Sequence, residues 1–136
     1  MPVIPSSINS VTIEFATSVN KEVTQTMIDG LNHCIKSNIA TGHTLSKIYI
    51  SSANDSHTLP SRHMQSKAVD ISRINGTKMV LGYPQGGTIK AIVDAIQNEF
   101  EGFSSKRENF GPHIKKKLGK DKTVSGHADH IHLSVN

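Results

Sequence analysis

Apolar and polar residues alternate in Val-Thr-Ile-Glu-Phe at 11–15, the period of a half-buried strand. Asn20 then offers a helix cap. Val23, Met27, Ile28, Leu31, Cys34 and Ile35 recur at helical spacing, with Gly42 beyond the end. Gly30 falls inside this stretch and weakens the helix by about 1 kcal/mol relative to alanine. Lys-Ile-Tyr-Ile-Ser-Ser at 47–52 predicts a second strand, and the polar run 53–67, broken by Pro60, predicts a loop. Ala-Val-Asp-Ile-Ser at 68–72 predicts a third strand, Asn75-Gly76 a tight hairpin, and Lys-Met-Val-Leu at 78–81 its returning partner. Thr88 offers a cap for a second helix. Its face carries Ile89, Ile92, Val93, Ile96 and Phe100, and Gly102 marks its end. Residues 104–126 predict irregular or weakly helical chain, and His-Ile-His-Leu-Ser-Val at 130–135 the last strand. This order predicts one α+β domain over 1–136: a small antiparallel sheet with helices packed on one side.

Composition narrows the classes. The chain has 136 residues, enough for one modest core, with 35% apolar and 4% aromatic residues and no Trp. A net charge of +4 favours anionic partners, among them nucleic acid, anionic lipid and bacterial cell-wall polymers. Nucleic acid is set aside, because the chain lacks aromatic platforms for single strands and any recognition-helix motif. The single Cys34 excludes an intramolecular disulfide, and its place on the apolar helix face reads as core. The first ten residues lack the basic start and apolar run of a signal peptide, and no apolar run is long enough to span a bilayer. The expectation is synthesis in the cytoplasm with no membrane partner, and release by other means if the protein acts outside.

Asp70 lies between Val69 and Ile71 inside the third strand, and His130 and His132 flank Ile131 in the last. A buried charge needs a counter-charge, a hydrogen-bond network or a metal. Side chains alternate along a strand, so His130 and His132 share one face and Ile131 and Leu133 the other. If the two strands are neighbours, Asp70 and His132 can meet, and the loop can fold His63 back onto them. Two His and one Asp leave a fourth tetrahedral position open, the pattern of a catalytic zinc site.

Ser-Arg-His-Met-Gln-Ser-Lys-Ala-Val-Asp-Ile at 61–71 with Asp-His-Ile-His-Leu-Ser-Val at 129–135 resembles the zinc peptidase superfamily. That superfamily includes D-Ala-D-Ala carboxypeptidases and dipeptidases, phage L-Ala-D-Glu endolysins, lysostaphin-like endopeptidases and the hedgehog signalling domain. Ser61, His63, Ala68, Asp70, His130 and His132 match its pattern of Ser-x-His-x-x-Gly-x-Ala-x-Asp followed by His-x-His. The resemblance implies a hedgehog/DD-peptidase-like fold over most of the chain and Zn2+ as cofactor. His63, Asp70 and His132 would be the metal ligands, and Ser61 a substrate-binding residue. It also implies Asp129, three before the last ligand, as general base, and His130 as a donor to the developing oxyanion. Zinc would lower the pKa of a water to about 7 and polarise the scissile carbonyl, while Asp129 moves a proton to the leaving amine. Three positions before His132 is the opposite pleat of an ideal strand, so Asp129 must sit where the strand begins, with Gly126 allowing the turn.

Two positions depart from the pattern. Ser66 stands where the family has glycine. Many members carry an Arg before the metal loop, where this chain has Ser-Ser-Ala-Asn at 51–54. Arg62, Arg73 and Arg107 are the substitutes the sequence offers for that contact, without choosing among them.

The function expected is a zinc peptidase cutting peptidoglycan peptide bonds next to D-amino acids, with a peptidoglycan peptide as partner. A phage lysis enzyme reaching the wall through a holin pore and a cytosolic D-Ala-D-Ala dipeptidase both fit. A non-catalytic zinc module of the same fold is the alternative. Among the other histidines, His57 reads as a plain loop residue or a lining of the cleft, His127 as an exposed loop residue or a supporting group at the site, and His33, His43 and His113 as surface. Phe110 in Glu-Asn-Phe-Gly-Pro at 108–112 is a candidate cleft wall or a packed turn. The lysine-rich run 115–122 is a solvated basic loop or a contact for an anionic polymer.

Overall fold

The computed structural model describes residues 1–53 and 66–136. A two-residue strand β1 (Ser7–Ile8) turns through Asn9 and Ser10, both left-handed at φ 47° and 68°, into β2 (Val11–Phe15). The Asn9 amide donates to the carbonyls of Asn32 and Ile35, at 2.9 and 3.0 Å, and so ties this turn to the end of helix α1 (Gln25–Cys34). Thr24, not Asn20, caps α1, its hydroxyl accepting from the Met27 N–H at 3.3 Å. Met27, Ile28, Leu31 and Cys34 form the buried face of the helix, as its spacing predicts. Gly30 has a packing reason. A Cβ there would stand 3.3 Å from the rings of both Phe100 and Phe103, so its absence lets the second long helix approach.

Strand β3 (Lys47–Ser52) follows and lies parallel to β2, because α1 carries the chain back across the sheet between them. The sheet is therefore mixed, not antiparallel as its element order suggests. Strand β4 (Ala68–Ile74) runs antiparallel to β3 and ends in the tight turn at Asn75-Gly76, with φ 52° and 81°. The hairpin forms, but its return is only β5 (Thr77–Lys78). Residues 79–82 coil into the short helix α2 (Met79–Gly82) and a 3-10 turn (Tyr83–Gln85). The buried Met79 anchors that turn while Val80 and Leu81 are exposed, a helical rather than a strand pattern of burial.

Helix α3 (Gly87–Phe100) buries Ile92, Val93, Ile96 and Phe100. Its N-cap is Gly86, and the Thr88 hydroxyl bonds the His43 ring instead, at 2.9 Å. The stretch expected to be irregular is largely strand: β6 (Lys106–Phe110), β7 (Lys115–Lys117) and β8 (Lys120–Asp121). The last strand is β9 (Ile131–Val135), with His130 just outside it. Among the described residues the strands form one sheet in the order β1-β2-β3-β4-β9-β6-β7-β8, with β5 on β4.

Both long helices pack on one face, α1 against β9 and α3 against β4 and β6, and touch each other. The buried apolar side chains between sheet and helices form a single cluster. Gln97 of α3 is fully buried and works as a polar hub. Its amide donates to Asn109 and to the Ile114 carbonyl and accepts from the His113 and Ile114 N–H groups, all within 3.0 Å. Polar groups buried this way are stable only when bonded, so the hub fixes β6 and its following turn on α3. Ser66, where the resembled sequence pattern has glycine, is buried and left-handed at φ 61°, the conformation glycine adopts without steric cost. No helix among the described residues is long and apolar enough to cross a membrane.

Candidate metal centre

The open face of the sheet, opposite the helices, carries the polar cluster. Strands β4 and β9 are neighbours in antiparallel register, with Asp70 directly opposite His132. Their inward neighbours Val69, Ile71, Ile131 and Leu133 are fully buried, so alternation turns Asp70 and His132 outward together. The His132 Nδ1 lies 2.9 Å from Asp70 Oδ1, with side chains only 13% and 16% exposed.

A third group, Glu108 of β6, was not singled out by sequence reasoning. Its Oε1 lies 3.0 Å from His132 Nε2 and accepts from the Ser134 hydroxyl at 2.8 Å. Alternation about the buried Asn109 sets it on the same face as Phe110, and β6 takes up an extra residue toward Lys106. Lys106 pairs with Val135 and Asn109 with Leu133, so three residues on β6 span two on β9. Glu108 lies on the open face beside Ser134 and His132. Reading 104–126 as irregular chain hid the residue; the alternation of Glu108 and Phe110 about the buried Asn109 is the signal that could have found it. Phe110 stacks on His132 with ring centres 5.8 Å apart and planes 19° apart, so it walls the site.

In the metal-free chain His132 is held by two carboxylates. Burial pushes its pKa down, but the hydrogen bonds to Asp70 and Glu108 outweigh it and hold the imidazole at about 9. Glu108 is correspondingly lowered to about 2, first by its hydrogen bond with His132, then against burial and with help from Ser134. A neutral His132 that donates Nε2–H to Glu108 presents its Nδ1 lone pair beside Asp70 Oδ1. Metal-bound histidines are held in this way, with a carboxylate fixing the tautomer and raising ligand basicity. Asp70 and His132 thus have the donor chemistry a zinc ion takes. Among the described residues no three His, Cys, Asp or Glu side chains group as a metal site. His63, the third ligand implied by the family pattern, and Ser61, its substrate-binding residue, lie outside the described residues, as do His57 and Arg62.

The approach to β9 carries the remaining candidates. Asp129 sits in a bend before the strand, 64% exposed, with Oδ1 2.7 Å from His130 Nδ1. That hydrogen bond lowers the Asp129 pKa, against a smaller effect of burial. Gly126 and His127 are both left-handed, at φ 75° and 66°, and their turn leads the chain into the strand. His127 is not the exposed loop residue its sequence context suggests. Its ring is half-buried, 5.3 Å from Phe110, 4.8 Å from His130 and 6.1 Å from His132. Its Nδ1 donates to the Ser125 carbonyl at 2.9 Å, which leaves Nε2 as the acceptor nitrogen. Burial, then the neighbouring His130, push its pKa down, favouring the neutral ring.

Beside Asp129 a groove of about 270 Å³ runs along the open face, lined by Ser72, Arg73, Lys78, Val80 and Asp129. Arg107, another candidate arginine, has a buried Nε with no hydrogen-bond partner among the described residues. Neither a protein-family model, nor a curated protein, nor a solved structure shows a significant match to the chain.

Proposed function

We propose that the chain is a zinc-dependent metallopeptidase that hydrolyses peptidoglycan peptide bonds next to D-amino acids, of the D-Ala-D-Ala carboxypeptidase or endolysin type, on a hedgehog/DD-peptidase-like fold. The observation that carries the reading is the meeting of Asp70 Oδ1 and His132 Nδ1 at 2.9 Å, with the other ring nitrogen on Glu108 at 3.0 Å. An ordinary structural ion pair needs one carboxylate per imidazole. The second carboxylate, supported by the Ser134 hydroxyl, is one of the groups that orient a ligand histidine through its other ring nitrogen.

His63, Asp70 and His132 would hold the ion. A divalent cation there supplies Lewis acidity, lowering the pKa of water to about 7 and polarising a carbonyl. Asp129, ionised and exposed beside the groove, takes the proton of the attacking water and delivers it to the leaving amine. His130, bonded to Asp129, holds that carboxylate in place and offers its ring to the developing oxyanion. Phe110 and the half-buried His127 keep bulk water from the face of His132 and so strengthen its polar interactions.

The test is elemental analysis of the purified protein, then zymography on purified sacculi paired with a D-Ala-D-Ala hydrolysis assay. Zinc at one per chain, with activity lost to chelation and restored by zinc, is the expected result. Cleavage of sacculi indicates an open groove that accepts cross-linked polymer, whereas cleavage of the dipeptide alone indicates a dipeptidase. Zinc bound with neither substrate cleaved favours a non-catalytic zinc module, an alternative motivated by the absence of the family's arginine from 51–54.

A further inference from the structure

The register between β3 and β4 is irregular at one informative place. Tyr49 pairs with Arg73 and Ile50 with Ile71, so Ser72 is an extra residue on β4. Strict alternation from the buried Val69 and Ile71 would send Arg73 into the core beneath the helices. The bulge reverses this, and Ile74 takes the buried position instead. Arg73 emerges on the open face, where its guanidinium lies 4.2 Å over the Tyr49 ring. Bulges re-aim side chains beside active sites, and this one turns an arginine toward the groove that also holds Asp129.

The partner of Arg73 across the next pair of strands is Lys78. Like charges directly opposite each other repel, and among the described residues neither cation has an ion-pair partner. Asp129 is committed to His130. Two cations are therefore set side by side, one fixed by stacking, with a hydroxyl from Ser72 between them and the metal ligand. Ser72 and Asp70 are two positions apart on the strand, about 7 Å, the length of one to two residues of extended peptide. Arginine's planar fork suits a carboxylate, which can accept two parallel hydrogen bonds from it.

We propose that this groove is a carboxylate subsite, in which Arg73 and Lys78 bind the free carboxylate of a peptide one to two residues from the bond placed at Asp70 and His132. The inference deepens the peptidase reading and rests on it for the identity of the peptide. The bulge at Ser72 makes the subsite, so Arg73 is a specificity-determining residue.

The test is an NMR titration of full-length protein treated with chelator, so that no carboxylate can bind through a metal. The probes are N-acetyl-D-alanyl-D-alanine and its C-terminal amide. The free acid should bind at least about tenfold more tightly, the factor expected for a charge-assisted pair, and should shift the amide signals of Ser72, Arg73 and Lys78. Arg73→Gln should remove most of that preference, Arg73→Lys should restore part, and Lys78→Gln, at an exposed position, should weaken it without risk to the fold. Equal or undetectable binding of the two probes overturns the proposal, as does a preference that survives in both Gln variants. Hydrolysis by zinc-loaded protein is scored separately. Preference without cleavage would sink the peptidase reading and leave the groove standing, and cleavage without preference would do the reverse.

Discussion

Glu108 and His132 lie 24 residues apart and meet at 3.0 Å through the imidazole nitrogen that does not face Asp70. Regular alternation about the buried Asn109 puts Glu108 and Phe110 on the open face, and the pairing of β6 with β9 brings that face against His132. The carboxylate orients the ring and makes its other nitrogen a better donor to a cation.

Glu108→Gln should therefore weaken zinc binding about 10- to 100-fold while leaving the fold intact. Competition titration against a chromogenic chelator measures this directly. Unchanged affinity would reduce Glu108 to a structural ion-pair partner.

The pH dependence has a definite sign. His132 is raised from 6.5 to about 9 in the folded metal-free chain, so its stabilising contribution is complete below 6.5 and lost as pH rises through 9. Glu108 is depressed from 4.5 to about 2, so its contribution is present above 4.5 and lost as pH falls through 2. Thermal melts in the presence of chelator should show stability from this pair falling between pH 6.5 and 9. Zinc affinity should climb over the same window, because the cation must displace the Nδ1 proton. Parallel slopes for the two measurements would argue against His132 as a ligand. In Glu108→Gln the metal-free slope should flatten.

Asp70→Ala, His132→Ala and His63→Ala should each lose the metal, read by elemental analysis after gel filtration. Full retention in any one removes that residue from the ligand set. Asp129→Ala should keep zinc and lose hydrolysis by about 10²- to 10⁴-fold, the usual contribution of a positioned acid–base group. Undiminished turnover would transfer the role of base to another group.

The hub at Gln97 supports the site from below. Gln97→Leu leaves Asn109 and the backbone of His113 and Ile114 without their partners, and should cost about 3 kcal/mol or more in urea denaturation. Gly111→Ala should also destabilise, since a Cβ there would fall 2.7 Å from the Gln97 amide. Both should loosen β6 and so lower zinc affinity. A stability loss with zinc affinity intact would separate this hub from the site.

The long local patterns were legible in the sequence because burial on one face imposes a period. The alternation in β2, the helical spacing in α1 and α3, the turn at Asn75-Gly76 and the outward direction of Asp70 and His132 all follow from that. The pairing of β4 with β9 was conditional there, and only the sheet order made Asp70 and His132 neighbours across 62 residues. The parallel β2–β3 pair, the strands within 106–121 and the coiling of 79–82 depended on contacts distant in sequence. Lysine-rich strands such as β7 carry no apolar period and form because β6 offers them an edge. The bulges were the least legible features of all. A bulge is a mismatch between two strands, so it does not exist in either strand's sequence alone, yet the one at Ser72 turns Arg73 toward the groove. Sequence by itself determined which residues can do chemistry and which faces they occupy in regular structure; tertiary pairing decided which of them meet, because register belongs to the pair of strands and not to the chain.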